Sequence, residues 1–356
     1  MDLLSHLKEL SALPGLSGYE KPVREAIRAA WAPLVSETHV DQLGSFWATR
    51  SGSGKAPRPK IMLAAHMDAI GLMVTQIVGD FLRVTSIGGL DARVLPGQLV
   101  CVHGKADLSG VLVAPPAFLL PKGAGDGVVP LAEILVDTGL PGDELARQVR
   151  VGDVISFAAP PCDLQNGLLC AKSLDNRAAV ATLTLCLEQL QSRTHVWDVV
   201  AVATTQEELG TLGARTSAFS IAPDLAIAVD VTHGSGPAVR DMPDRTYAVG
   251  GGPTLGLGPN IHPGLCATIQ AVADRLEIPY AIEPMPQHSG TDAFGIQVAR
   301  AGIPTMVIGL PLRNMHTPVE VMSLKDINRA GRLLAEFIAG LGADFMTTLK
   351  YDLPPG

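Results

Sequence analysis

The chain predicts an α/β fold, a sheet sandwiched by helices and interrupted by a small β-barrel-like insertion, and three observations carry that prediction. Its 356 residues exceed what a single hydrophobic core usually fills, so two units are expected. After Leu169, helical segments alternate with short apolar runs, the pattern of a helix-covered sheet. Between Gly71 and Phe157 the texture changes to short alternating runs, such as Phe81-Leu82-Arg83-Val84-Thr85 and Gln98-Leu99-Val100-Cys101-Val102, divided by Gly and Pro as in a small β domain. Residues 1–68 and 165–356 are therefore expected to form one domain, with residues 69–164 inserted into it.

Met1 to Ala12 reads as an amphipathic helix with Leu3, Leu4, Leu7 and Leu10 on one face. Leu13-Pro14-Gly15 stops it, and Glu20 to Leu34 starts a second helix with Val23, Ile27, Ala30 and Trp31 apolar. Phe46 to Thr49 and Lys60 to Ala65 read as strands joined by a Gly/Ser/Pro loop, the second strand ending at His66. Within the β-rich stretch, Ala114 to Pro130 is dense in Pro and Gly and reads as an exposed loop. Beyond Leu169 follow a helix from Asp175 to Leu190, strands from Asp198 to Thr204 and Leu225 to Val229, a helix from Leu265 to Leu276 and a strand from Thr305 to Ile308. A closing helix from Leu324 to Leu341 has Ser323 as its N-cap, and Leu353 to Gly356 reads as a frayed tail. The Gly250 to Gly258 run is a weak phosphate-loop signal, because no Gly-Lys-Ser/Thr follows.

Composition narrows the partners. Hydrophobic residues make up 47% and charged residues 17%, which excludes a disordered chain. A net charge of -8 offers no basic face, so neither nucleic acid nor an anionic membrane surface is an expected partner. The N-terminus carries charges where a signal peptide needs an apolar core, and no apolar run approaches the ~20 residues that span a bilayer. Cys101, Cys162, Cys170, Cys186 and Cys266 are odd in number and lack CxxC spacing, which fits reduced, buried thiols in a cytoplasmic protein rather than a disulfide framework or thiolate zinc site.

Open α/β sheets bind ligands beyond the carboxyl ends of their strands, so polar residues that follow apolar strands are candidates for chemistry. Ile61 to Ala65 runs into His66-Met67-Asp68, Val199 to Thr205 into Gln206-Glu207-Glu208, and Leu225 to Val229 into Asp230. Asp175 at a helix start and His316 in the loop after Pro311 can close the group. Imidazole and carboxylate suit zinc, cobalt or manganese, and two divalent ions balance Asp175, Glu208, Asp230 and one hydroxide. Without metal the same acids would repel one another. A ligating imidazole usually donates its other N–H to a carboxylate, and Asp68 is the candidate partner of His66. Adjacent side chains diverge, so within Glu207-Glu208 one residue can bind metal while Glu207 serves as general base. Each element alone reads as an ordinary solvated turn. Together they read as a dinuclear hydrolase, with a structural acidic cleft as the alternative. His6, His39, His103 and His195 read as structural, whereas His233, His262 and His288 lie near the motifs as candidate cleft residues.

These residues resemble the glutamyl-aminopeptidase-like metalloaminopeptidases, the family that includes tetrahedral self-compartmentalising peptidases. The matching segments are Pro14 to Glu20, His66 to Gly71, Ser173 to Arg177, Gln206 to Gly210, Ala228 to Thr232, Gly290 to Ala293 and Asn314 to Glu320. The resemblance implies that Asp175 bridges two metals, that His66 and Asp230 complete one site and Glu208 and His316 the other, and that Glu207 is the base. It further implies two divalent ions per subunit, zinc or cobalt before manganese, peptide substrates, and homo-oligomers from dimer to dodecamer assembled through the inserted β domain. Ala69 stands where the family commonly has Glu, and Ser289 where a Gly usually precedes Gly-Thr-Asp. Related two-metal deacetylases and carboxypeptidases insert their second domain between the third carboxylate and the last His, whereas here the β-rich stretch lies between Asp68 and Asp175. A catalytically silent scaffold and a metal-independent glycosidase are the rival functions.

Overall fold

In the computed structural model, residues 1–115, 118, 127–236 and 245–351 are described. The Pro/Gly-rich loop expected over 114–130 falls mostly outside them, and the tail from Leu353 wholly so. Two helices open the chain, α1 (Leu3–Ala12) and α2 (Lys21–Trp31), each burying one stripe: Leu3, Leu7 and Leu10, then Val23, Ile27 and Trp31. Asp2 caps α1 by accepting from the Leu4 N–H. Next come β1 (Glu37–Val40), β2 (Phe46–Arg50) and β3 (Lys60–His66). β1 is exposed along its whole length, so it carries no apolar alternation by which to recognise it.

From Gly71 the chain leaves the sheet. β4 (Gly71–Val78), β5 (Phe81–Ile87), β6 (Leu99–His103), β7 (Asp107–Val113), β8 (Leu135–Asp137) and, after the short helix α3 (Gly142–Gln148), β9 (Val154–Phe157) close a barrel in the order β4-β5-β8-β7-β6-β9. Closure leaves no open edge, and Leu72, Leu82, Val100, Leu112, Val136 and Ile155 fill a core of its own. β10 (Cys162–Leu164) already belongs to the main sheet, pairing antiparallel with β11 (Leu168–Ala171). The chain thus rejoins the sheet before residue 165, the expected start of the second segment. β10 is exposed throughout, which leaves that return without a hydrophobic signature.

The remainder runs α4 (Leu174–Leu190), β12 (Asp198–Thr204), α5 (Leu212–Ile221), β13 (Leu225–His233), β14 (Thr254–Leu257), α6 (Pro263–Arg275), β15 (Ala281–Pro284), α7 (Asp292–Gln297), β16 (Thr305–Arg313), β17 (Glu320–Ser323), α8 (Leu324–Ala339) and α9 (Phe345–Thr348). The sheet is ordered β1-β2-β12-β3-β13-β16-β17-β11-β10, with β14 pairing β15 and β16 off that path. β12, β3, β13 and β16 are parallel neighbours covered on both faces. Ile61, Leu63 and Ala65 of β3 face a core shared with α1, α2, α4 and α8, while Met62 and Ala64 face a second core shared with α5 and α7. Ser323 caps α8 as expected, accepting from the Lys325 N–H.

Two strands outrun their apolar signatures. β13 and β16 pair from Ala226↔Thr305 to His233↔Leu312, so Asp230 lies inside a strand opposite Gly309 rather than beyond one. Within the Gly250 to Gly258 run, Thr254–Leu257 is strand, and the Gly250 and Gly252 amides donate to the Asp326 carboxylate. Among the described residues no helix is long and apolar enough to cross a membrane.

Gly71 stands where the chain passes from sheet to barrel. A Cβ there would lie 2.0 Å from Leu16 Cδ2 and 2.8 Å from the Ile155 carbonyl oxygen. Gly71→Ala is expected to destabilise the chain by about 1–3 kcal/mol, read as a lower urea midpoint.

Candidate metal centre

Three adjacent parallel lanes of the sheet, β12, β3 and β13, bring their carboxyl ends together at one place. His66 closes β3 in the middle lane, Glu207 and Glu208 follow β12 on one side, and Asp230 projects from β13 on the other. His66 is buried; its Nδ1 lies 3.2 Å from the Asp68 carbonyl oxygen and 3.4 Å from the Asp68 carboxylate. A proton on Nδ1 leaves the Nε2 lone pair facing Asp175 Oδ1 at 3.1 Å and Asp230 Oδ1 at 3.6 Å.

Asp175 stands at the ragged start of α4, where it and Asn176 depart from helical geometry and the peptide between them is cis. Asn176 Nδ2 ties this corner to the Val229 carbonyl of β13 at 2.9 Å. The two carboxylate oxygens of Asp175 face different histidines, Oδ1 toward His66 and Oδ2 toward His316 Nε2 at 3.3 Å. Glu208 Oε1 lies 3.6 Å from the same His316 nitrogen. The ligand atoms of His66, Asp175 and Asp230 form one group within 4.8 Å, and those of Asp175, Glu208 and His316 form another. Two donor triads sharing one carboxylate are what a pair of divalent ions requires. Glu207, the carboxylate outside both triads, sits 3.9 Å from His66 Nε2.

The acids perturb one another strongly. Burial pushes Glu207 up to about 10, with Asp230, Asp292 and Asp68 adding to it against His66. Burial and the neighbouring Asp175 push Glu208 up to about 8. The hydrogen bond to Asp175 raises His316 to about 9. Burial opposes the imidazolium of His66, yet Asp175, Asp230 and Asp68 together raise it well above the usual range. Such a cluster holds protons in place of cations.

Several organising contacts carry no sequence signal of their own. Asp68 does more than face His66: fully buried, it accepts from Ser17 Oγ at 2.5 Å and from the amides of Glu207 and Glu208 at 3.0 and 3.2 Å. Glu20 accepts from the Gly18 and Gln206 amides and the Thr205 hydroxyl. Glu320, buried at the start of β17, accepts from the amides of Asp175 and His316, both at 3.1 Å. Asp292 accepts from Thr204 Oγ1 and is pushed by burial to about 7. Glu20, Asp292 and Glu320 fall in the matching segments, but nothing in those segments marks them as anchors.

The cleft above these residues has a volume of about 740 Å³. His233 and His288 line it, whereas His262 instead caps α6 by accepting from the Gly264 N–H. Ala69 is buried and bridges to Leu16, and Ser289 Oγ lies 2.9 Å from Thr291 Oγ1. A further Cys101–His103–Asp107 group lies on the barrel, where Asp107 and Ser156 already engage both ring nitrogens of His103.

The profile of the M42 glutamyl aminopeptidase family matches residues 44–333. The lysyl aminopeptidase of Pyrococcus furiosus is 35% identical over 333 residues, 92% of this chain and 94% of that protein. A TET aminopeptidase from a marine-sediment Thaumarchaeota archaeon superposes with a TM-score of 0.92 at 30% identity, covering 98% of this chain and 99% of that one. A TET peptidase of Pyrococcus horikoshii, which can assemble into a tetrahedron or a large octahedral shell, gives 0.83 at 27% identity over 96% and 100% of the two chains.

Two outcomes are expected. Glu320→Ala, which strips the acceptor from the Asp175 and His316 amides, should weaken divalent-metal affinity roughly ten- to hundredfold in competition with a chelating dye. In the metal-free chain, stability should fall as pH rises. Folded Glu208 keeps to about pH 8 a proton that the unfolded chain releases near 4.5, and the stability from His316 is complete below 6.5 and lost as pH passes about 9. Urea midpoints with and without chelator check this; a metal-free midpoint that climbs over that range would contradict it.

Proposed function

The chain belongs to the M42 glutamyl aminopeptidase family of metal-dependent peptide hydrolases, and we propose that it removes N-terminal residues from peptides with two divalent cations held by its paired triads. His66, Asp175 and Asp230 would hold one and Asp175, Glu208 and His316 the other. The observation that supports this most directly is Asp175, whose two oxygens lie 3.1 and 3.3 Å from imidazole nitrogens on opposite sides. The donor set is nitrogen and carboxylate oxygen, which suits zinc or cobalt, with manganese as the alternative. Bound there, the cations would acidify a water and polarise the scissile carbonyl.

The residues of the chain supply the rest. Glu207 receives the proton of the attacking water at a carboxylate oxygen and delivers it to the leaving amine nitrogen. Asp68 fixes Glu207 and Glu208 by their amides and keeps the His66 proton on Nδ1. The resulting exchange of one peptide bond for an amine and a carboxylate needs no further cofactor.

Homo-oligomerisation through the barrel belongs to the same reading, supported by the shells of the Pyrococcus horikoshii relative and by Leu99, Val78 and Val151 exposed on the insertion. All five cysteines are free, but only Cys186 and Cys266 are buried as expected and Cys162, on the edge strand β10, is exposed; free thiols fit a reducing, cytoplasmic setting.

Replacing Glu207 with Gln tests the assignment of the base. Turnover of aminoacyl-p-nitroanilides should drop by about 10²–10⁴ while metal content measured by elemental analysis stays at the wild-type level. Near-normal turnover in a metal-replete variant would sink it.

A further inference from the structure

The cleft extends past the metal centre to Glu283, a carboxylate that belongs to neither triad. Glu283 comes from β15, which pairs with β14, which in turn pairs with β16 opposite Gly309. Thr232 Oγ1 donates to its Oε1 at 2.7 Å, and Thr254 Oγ1 donates to its Oε2 at 2.6 Å. Both threonines are buried. Each carboxylate oxygen can accept a second hydrogen bond, so two neutral hydroxyls aim the group without using up its capacity or its charge.

Position converts this into a selection rule. Asp230 and Thr232 are two apart on β13 and line the same cleft, so the chain advances roughly 6.5–7 Å from metal ligand to threonine. Glu283 lies one hydrogen bond further on. In an N-terminal substrate the α-carbon is bonded to the scissile carbonyl, so its side chain starts at the metal centre. The five bonds from a lysine Cα to Nζ span roughly 6 Å. A lysine ammonium or an arginine guanidinium can therefore reach Glu283, whereas shorter side chains stop short of it. Arg215 also lines the cleft but comes from α5, where it stands 5.9 Å over the Phe294 ring of α7.

We propose that Glu283, aimed by Thr232 and Thr254, is the specificity-determining residue of this cleft and selects peptides whose N-terminal residue is lysine or arginine. The proposal rests on the aminopeptidase reading above and adds the substrate class. The substrate's side-chain cation replaces its hydration with a charge-assisted contact to Glu283, which an uncharged chain of equal length cannot make.

The test is kcat/KM of the metal-loaded chain for lysyl-, arginyl-, norleucyl- and glutamyl-p-nitroanilide. Norleucine matches the length of lysine without its charge. We expect the basic substrates to exceed norleucyl by roughly ten- to hundredfold, and the lysyl-to-norleucyl ratio to collapse in Glu283→Gln. Glu283→Lys should move the preference toward glutamyl. Thr232→Val is the second probe should the Glu283 variants fold poorly, and it should lower the same ratio. A ratio unchanged in a folded Glu283 variant overturns the proposal, as does a wild-type preference for glutamyl, which would assign selection to Arg215. Turnover of all four substrates without preference overturns this proposal alone. Absence of any turnover overturns the aminopeptidase reading with it.

Discussion

Mutual repulsion among buried carboxylates is the constraint around which this molecule is built. Asp68, Asp175, Asp230 and Asp292 are buried close to Glu207 or Glu208, and Glu320 is buried close to Asp175. Two like charges 4 Å apart cost about 4 kcal/mol at an effective dielectric near 20, so the cluster would splay unless its backbone were held. It is held by dividing the acids between two tasks. Asp175, Glu208 and Asp230 turn toward the cleft, while Asp68, Glu20 and Glu320 spend their oxygens on amides and hydroxyls of the segments that carry the others. Each anchoring acid thus acquires donors of its own, which favours its presence in the interior.

The anchors also explain why the first twenty residues belong to the site. Arg177, wholly buried two residues along from Asp175, donates to the carbonyls of Leu10 and Gly15 at 2.8 and 3.2 Å. Buried Lys172 donates to Ser11 and Leu13 and is pushed down by burial to about 7. These contacts pin the end of α1 against the start of α4 and set Ser17 on Asp68 and Glu20 on Thr205. A substitution in that segment would therefore act on the Glu207–Glu208 turn without touching substrate.

Much of this was legible in the chain because burial leaves periodic marks. The parallel strands Lys60–His66 and Asp198–Thr204 are nearly continuous apolar runs, and the barrel announces itself by short alternation between Gly71 and Phe157. What stayed hidden lacks such marks. β1 and β10 are exposed on every residue. Asp230 looked like the residue after a strand, since a charged side chain interrupts the apolar run, yet its backbone stays in register with Gly309. His66, Glu208 and Asp230 stand out as a His or an acid after an apolar run, Asp175 and His316 only as polar residues at a helix start and in a loop that can close the group, and the structure gathers their ligand atoms into two groups, each within 4.8 Å. Glu320 and Glu20 do not stand out, because an acceptor for backbone amides is defined by where the chain folds to, and a lone glutamate reads like any solvated one.

The barrel, finally, cannot be a passive appendage to this centre. It departs just after Asp68, with Ala69 bridged to Leu16 and Gly71 packed against the same leucine, so its root lies beside the candidate metal ligands. Its second strand then returns the chain to the site: a Cβ at Gly88 would lie 3.2 Å from Glu208 Oε2, and one at Gly89 would lie 3.0 Å from His316 Nδ1. A side chain at either position would crowd the second triad, and the φ of +73° at Gly88 further favours glycine there. The cleft is therefore walled partly by the insertion and partly by the sheet, with Gly89 and Glu283 contributed by different units.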